Sequence, residues 1–166
     1  LEQNMLTPTT KEEDHDRPIS PTDIVKEKWM TQEDWDYCSK KALELFAFGQ
    51  KKAKENGLIL VDTKYEMGKD KDGNIVLIDE IHTPDSSRYF YLDSYQSRQV
   101  QDMPQRQLSK EFVREWLIQQ GFQGLNGQKI PHIKPDFVQI ISERYIEYKR
   151  NCKSSGVFSK FYSGSI

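Results

Sequence analysis

Cysteine is nearly missing from this chain of 166 residues: Cys38 and Cys152 stand alone and far apart. That excludes a disulfide framework and any C-x-x-C metal or redox pair, and it points to a reducing, cytoplasmic setting. Long apolar runs are missing as well. They stop at four residues, as at Leu58 to Val61, far short of the roughly 20 needed to cross a bilayer as a helix. Charge of one sign is not in excess: 24 basic against 26 acidic residues leave a net charge of -2. A broad field aimed at nucleic acid or an anionic membrane is thereby excluded, and any anion site must be local. His82 and His132 have no ligand spacing to Cys or another His, which disfavours zinc. The glycines at 121, 124 and 127 do not form a phosphate-cradling Walker loop, because Lys129 is not followed by Ser or Thr and no strand leads in.

What is present suits one α+β domain with an ordinary core. Residues 1–23, with Pro8, Pro18 and Pro21 around a charged run, are expected to be extended or looped. Thr31 is a good N-cap for a long amphipathic helix carrying Trp35, Cys38, Ala42, Leu45, Phe46 and Ala53, ended by Asn56-Gly57. From Leu58 the period changes to that of a strand running to Glu66, and a second strand is expected from Ile75 to Ile81. Thr83 to Ser87 breaks it. Tyr89 to Met103 reads as an ordered loop, Ser109 can cap a helix that carries Phe112, Val113, Trp116 and Leu117 and stops near Gly121, and Phe137 to Tyr148 forms a last helix. Residues 24–150 would be the main lobe, and 151–166 a frayed tail.

Within the expected hairpin, Asp72-Gly73 favours a two-residue turn, which sets opposite residues at numbers summing to 145. Glu66 then faces Asp79, and alternation puts Asp62, Lys64, Glu66 and Asp79 on one face. Two carboxylates about 5 Å apart repel by roughly 3 kcal/mol at an effective dielectric near 20, so a cation is expected between them. Mg²⁺, which binds one or two carboxylates and completes its shell with phosphate and water, is the natural choice. The bland alternative is a solvated hairpin face, with Gly68 able to shift the register by a bulge.

The string Asp62-Thr63-Lys64-Tyr65-Glu66-Met67-Gly68 resembles the D-x-K-x-E-x-G signature of the SAICAR synthetase family, with Met67 where that family more usually has an aromatic residue or isoleucine. Asp79-Glu80-Ile81-His82-Thr83-Pro84-Asp85-Ser86-Ser87-Arg88-Tyr89 resembles the family's D-E-x-x-T-P-D-S-S-R-aromatic block. Leu6-Thr7-Pro8-Thr9-Thr10-Lys11 with His15-Asp16 resembles its T-P-x-T-K loop, and Lys110 to Leu117 and Gly124 to Gly127 resemble segments that follow in the same order. The resemblance implies a two-lobed ATP-binding fold, represented mainly by its C-terminal lobe. It also implies a purine-biosynthesis ligase that joins the carboxylate of carboxyaminoimidazole ribotide to the amine of L-aspartate through an acyl phosphate, using ATP and Mg²⁺. By the same resemblance Glu66 and Asp79 would hold the metal, Lys64 would neutralise the transferred phosphoryl group, and Asp62 would orient substrate or take a proton. Lys11, His15, Asp85, Ser86, Ser87, Arg88 and Arg114 would bind the ribotide and aspartate. The family's N-terminal lobe has no counterpart in the sequence, and residue 1 is Leu; a fragment inactive without that lobe, or completed by another chain or copy, is therefore expected. The rival classes are a non-catalytic ligand-binding or assembly module and a kinase-like phosphotransferase.

Overall fold

The computed structural model describes residues 3–12, 16–79 and 81–153, with side chains to 150. In chain order the elements are α1 (Pro21–Lys26), α2 (Gln32–Glu55), β1 (Leu58–Thr63), β2 (Met67–Lys69), β3 (Ile75–Leu77), β4 (Ser87–Tyr91), α3 (Leu92–Val100), β5 (Gln107–Leu108), α4 (Glu111–Gln119) and α5 (Pro135–Lys153). They fall into two compact units, Leu1–Phe48 with Tyr65–Asp79, and Gly49–Lys64 with Glu80–Ile166.

In the first unit the proline-rich opening is pinned by backbone bonds. Thr10 N donates to Arg17 O at 2.9 Å, Ile19 N donates to Pro8 O at 3.0 Å, and Ile19 and Ile24 are buried. The loop expected over 1–23 gives way at its end to α1, because Ser20 accepts from Asp23 N at 3.1 Å and Pro21 sits where a helix needs no N–H. Thr31 caps α2 as its sequence indicates, its hydroxyl accepting from Asp34 N at 3.1 Å.

The hairpin differs from expectation in length and register. Strands β2 and β3 pair Met67 with Leu77, Gly68 with Val76 and Lys69 with Ile75, so the sums are 144 and not 145. The cause is the turn. Asp70 N donates to Asn74 O at 2.9 Å and Gly73 N to Asp70 O at 3.1 Å, which leaves a three-residue loop with Gly73 left-handed at φ +83°. Asp70 drives this choice: its carboxylate accepts from the backbone N–H of Asp72 (2.9 Å) and Asn74 (2.8 Å) and from Asn74 Nδ2 (3.0 Å). Those bonds hold the Asp70 carboxyl below the usual carboxylate range. Glu66 is therefore opposite Ile78, whose N–H donates to Glu66 O at 2.9 Å, and Asp79 lies one residue further on. The facing of Glu66 by Asp79 does not occur. Nor is there a continuous strand to Glu66, since residues 64–66 lie outside both ladders and Asp62 pairs elsewhere.

In the second unit β1 and β5 flank β4 in an antiparallel sheet. Its buried face carries Leu58, Leu60 and Leu108, each about 1% exposed, with Tyr89, and Ala53 of α2 and Tyr148 of α5 join that core. Leu60 pairs with Tyr89 but Asp62 pairs with Arg88, so Val61 is an extra residue and the register shifts there. Plain alternation would aim Asp62 inward with Leu58 and Leu60; the bulge turns it out and brings Thr63 round to the buried Ser87, hydroxyl to hydroxyl at 2.8 Å.

The ordered loop expected from Tyr89 is instead the strand β4 followed by α3. Tyr89 has partners on both sides, Leu60 and Leu108, which favours the sheet. Helix α3 has no side-chain cap and no buried residue, and so left no periodicity to read. Helix α5 is longer than expected at both ends, and Trp116 of α4 stacks on its Phe137 at 4.6 Å between ring centroids. Of the tail expected over 151–166, residues 151–153 continue α5, and the rest lies outside the described residues.

Candidate functional site

The charge pair facing solvent across β1 and β4 is the site's most defined element. Arg88 Nε donates to Asp62 Oδ1 at 3.1 Å and to Oδ2 at 2.9 Å, and Arg88 Nη2 also donates to Oδ2. This fork is set by the Val61 bulge, without which the two side chains would leave opposite faces of the sheet. Asp62 raises the Arg88 pKa further, first through these hydrogen bonds.

Arg88 ends a segment that starts as a tight turn. Ser87 N donates to Thr83 O at 2.8 Å, Ser86 N reaches Thr83 Oγ1 at 3.4 Å, and the Ser86 and Ser87 hydroxyls lie 3.4 Å apart. The turn is tied on both sides: Lys64 N donates to Ser86 O at 3.2 Å, and Lys110 N at the start of α4 donates to Pro84 O at 3.1 Å. Lys110 Nζ also lies 3.4 Å from Asp85 Oδ1. Thus Asp62, Lys64, Asp85, Ser86, Ser87 and Arg88 are brought together by the β1 and β4 ladder and the turn that leads into it. Arg114 is engaged locally, its Nη1 donating to Glu111 Oε1 at 2.9 Å.

In the first unit, Lys11 Nζ donates to Glu66 Oε1 at 3.0 Å, which joins the T-P-x-T-K loop to the D-x-K-x-E string. Asp79 is exposed, and His15 lies outside the described residues. Among the described residues no three His, Cys, Asp or Glu side chains converge as a protein-only metal cage. Glu66 is half-buried and already holds an ammonium, but Asp79 is offset by one residue from its cross-strand partner Ile78, so the two carboxylates do not face each other as the expected pair; a single carboxylate with phosphate and water completing the shell is what Glu66 offers Mg²⁺ here.

Two features escaped the sequence. Arg88 lines an open groove of about 520 Å³ with Phe90, Arg106, Phe112, Arg144 and Glu147. Arg106 stacks on Tyr91 and Arg144 on Phe112, each guanidinium carbon 4.3 Å from the ring centroid. The Tyr91 hydroxyl donates to Glu147 at 2.8 Å, and burial with that bond pushes it up to about 12. The groove's contributors come from β4, α4, α5 and a loop, a scatter without motif spacing. The second feature is His82, whose imidazole is pulled down to about 4 by desolvation. A histidine with no metal-ligand spacing to Cys or another His gives no warning of that in a sequence.

The profile of the SAICAR synthetase family matches residues 1–128. The phosphoribosylaminoimidazole-succinocarboxamide synthase of Bacteroides thetaiotaomicron is 56% identical over 149 residues, 89% of this chain and 47% of that protein. The enzyme of the same name from Legionella pneumophila (strain Lens) is 49% identical over 147 residues, with the same coverage. Among solved structures, SAICAR synthase from Saccharomyces cerevisiae in complex with SAICAR aligns at a TM-score of 0.58 and 31% identity, over 89% of this chain and 44% of that one. A type-2 SAICAR synthetase in complex with ADP aligns at 0.66 and 23% identity over 93% of this chain and 52% of that one, a likeness of fold. The chain spans about half the length of the curated relatives it matches. With its motif blocks folded as described, this chain belongs to the SAICAR synthetase family of ligases.

Proposed function

We propose that this chain supplies the metal-side and substrate-side residues of an ATP-dependent ligase that joins carboxyaminoimidazole ribotide to L-aspartate. The observation that carries the reading is the meeting of two motif blocks distant in sequence, Asp62 and Asp85 to Arg88, across the β1 and β4 ladder. A carboxylate is a poor acyl donor, so ATP converts that of the ribotide to an acyl phosphate with release of ADP; the aspartate amine then adds at the acyl carbon and phosphate leaves. Such chemistry is catalysed by positioning and by neutralising charge. Turn hydroxyls and the Arg88 guanidinium bind the carboxylate or phosphate groups of ribotide and aspartate. Asp62, with both oxygens engaged by Arg88, orients that guanidinium rather than taking a proton. Lys64 neutralises the phosphoryl group in transfer. Glu66 and Asp79 would hold Mg²⁺, which would screen the nucleotide phosphates, and Lys11 is the ammonium that engages Glu66 here. By the family resemblance Lys11, His15 and Arg114 would also contact substrate.

Calorimetry with Mg-ATP tests the reading. Glu66→Gln with Asp79→Asn should weaken the magnesium-dependent part of binding about tenfold or more, the loss of roughly 1.4 kcal/mol of metal ligation. Unchanged, metal-independent binding would favour instead a non-catalytic ligand-binding or assembly module.

A further inference from the structure

His82 immediately precedes the substrate turn and has a left-handed backbone, φ 56°. This conformation is unfavourable for a residue with a side chain and persists where surroundings fix it. Here the surroundings are explicit. The carbonyl oxygen of His82 accepts from Tyr89 Oη at 2.5 Å and also from Tyr148 Oη, which uses both of its lone pairs. The two hydroxyl oxygens lie 3.1 Å apart, the consequence of sharing one acceptor, and the rings are 5.1 Å apart between centroids. Both tyrosines are almost fully buried, at 3% and 6% exposure, one on the central strand and one on the last helix. The imidazole is seated over Gly49 of α2, where a Cβ would come within 2.5 Å of His82 Cε1. The ring of this residue is thus met by α2 and its carbonyl by β4 and α5.

The consequence lies in the next residues. Thr83 O accepts the Ser87 N–H, and Thr83 Oγ1 accepts the Ser86 N–H, so the direction in which Thr83 leaves His82 sets the turn. Its far end is already fixed by the pairing of Ser87 with Thr63. Without a fixed start the turn would keep its ties to Lys64, Lys110 and Thr63 but lose the one that sets where Thr83 begins.

We propose that Tyr148 and Tyr89 are positioning residues for the Asp85 to Arg88 segment, acting through the His82 carbonyl; this rests on the reading of that segment as substrate-binding. The experiment is residue-resolved hydrogen exchange together with ribotide binding on the full chain. Tyr148→Phe keeps the ring and should speed exchange at the Ser86 and Ser87 amides about fivefold, and weaken carboxyaminoimidazole ribotide by a similar factor, the effect of one hydrogen bond. Exchange at Met67 to Lys69 should not change. His82→Asn, a residue that tolerates positive φ, should restore slow exchange at Ser86 and Ser87 when added to Tyr148→Phe. A role confined to packing would not respond to that second change. Unchanged exchange in Tyr148→Phe, equal acceleration at Met67 to Lys69, or no restoration by His82→Asn would overturn the proposal. Arg88→Ala judges the reading beneath it separately: unaltered ribotide affinity in that variant removes the substrate assignment, while the exchange data still decide what holds the turn.

Discussion

His82 is kept neutral by burial, with a folded-state pKa near 4 against an ordinary value of 6.5. The unfolded chain takes up the proton first, so this residue contributes stability above pH 6.5 that is lost as pH falls toward 4. The full loss is at most about 3 kcal/mol, from 1.36 kcal/mol per pKa unit. Urea midpoints at pH 7 and 4.5 should therefore fall further for the parent than for His82→Asn. Arg88 makes the opposite kind of contact. Its fork with Asp62 is half exposed on both sides, so Asp62→Asn should leave stability within about 1 kcal/mol of the parent. It should instead lower ribotide affinity about tenfold by releasing the guanidinium, read by titration. Residue identity and order offered the candidate residues, of which Asp62 and Ser87 to Arg88 come to lie along one ladder. The contact between Asp62 and Arg88 was not legible, because alternation along Leu58, Leu60 and Asp62 points the carboxylate the wrong way and one unpaired valine corrects it.

Elements divide by how strongly local chemistry marks their ends. Helix α2 was legible from cap to glycine, since Thr31 and Gly57 act within a turn of their own positions. The β2 and β3 hairpin was legible in place but not in register. Two turn signals overlap there, Asp72-Gly73 and the Asp70 carboxylate, and three hydrogen bonds to the latter decide between them. Asp70→Ala should free the hairpin to slip, read as several-fold faster amide exchange at Met67 to Lys69. Helix α2 also holds a glycine that its propensity disfavours. Gly49→Ala would gain about 1 kcal/mol of helix propensity but drive a methyl into His82 and Leu60, an overpacking cost of about 1–3 kcal/mol. A net fall in Tm of about 2–4 °C is expected by calorimetry, since 1 kcal/mol moves a chain of this size by that much.

At the scale of the whole molecule, membership in the family was legible because its motif blocks are contiguous strings, while their assembly depends on pairings between segments that no string contains. The chain spans 47% of its Bacteroides relative. Aspartate-dependent ADP release by these 166 residues alone should accordingly fall below detection while ligand titrations remain measurable; robust turnover would show that one such half suffices. The Val61 bulge also carries a lesson about spacing. Strand β1 keeps time in twos, and Val61 is the single extra beat, absorbed by the bulge. Excise that one exposed residue and the bulge goes with it: the two leucines keep their places, and plain alternation itself hands the carboxylate to its arginine.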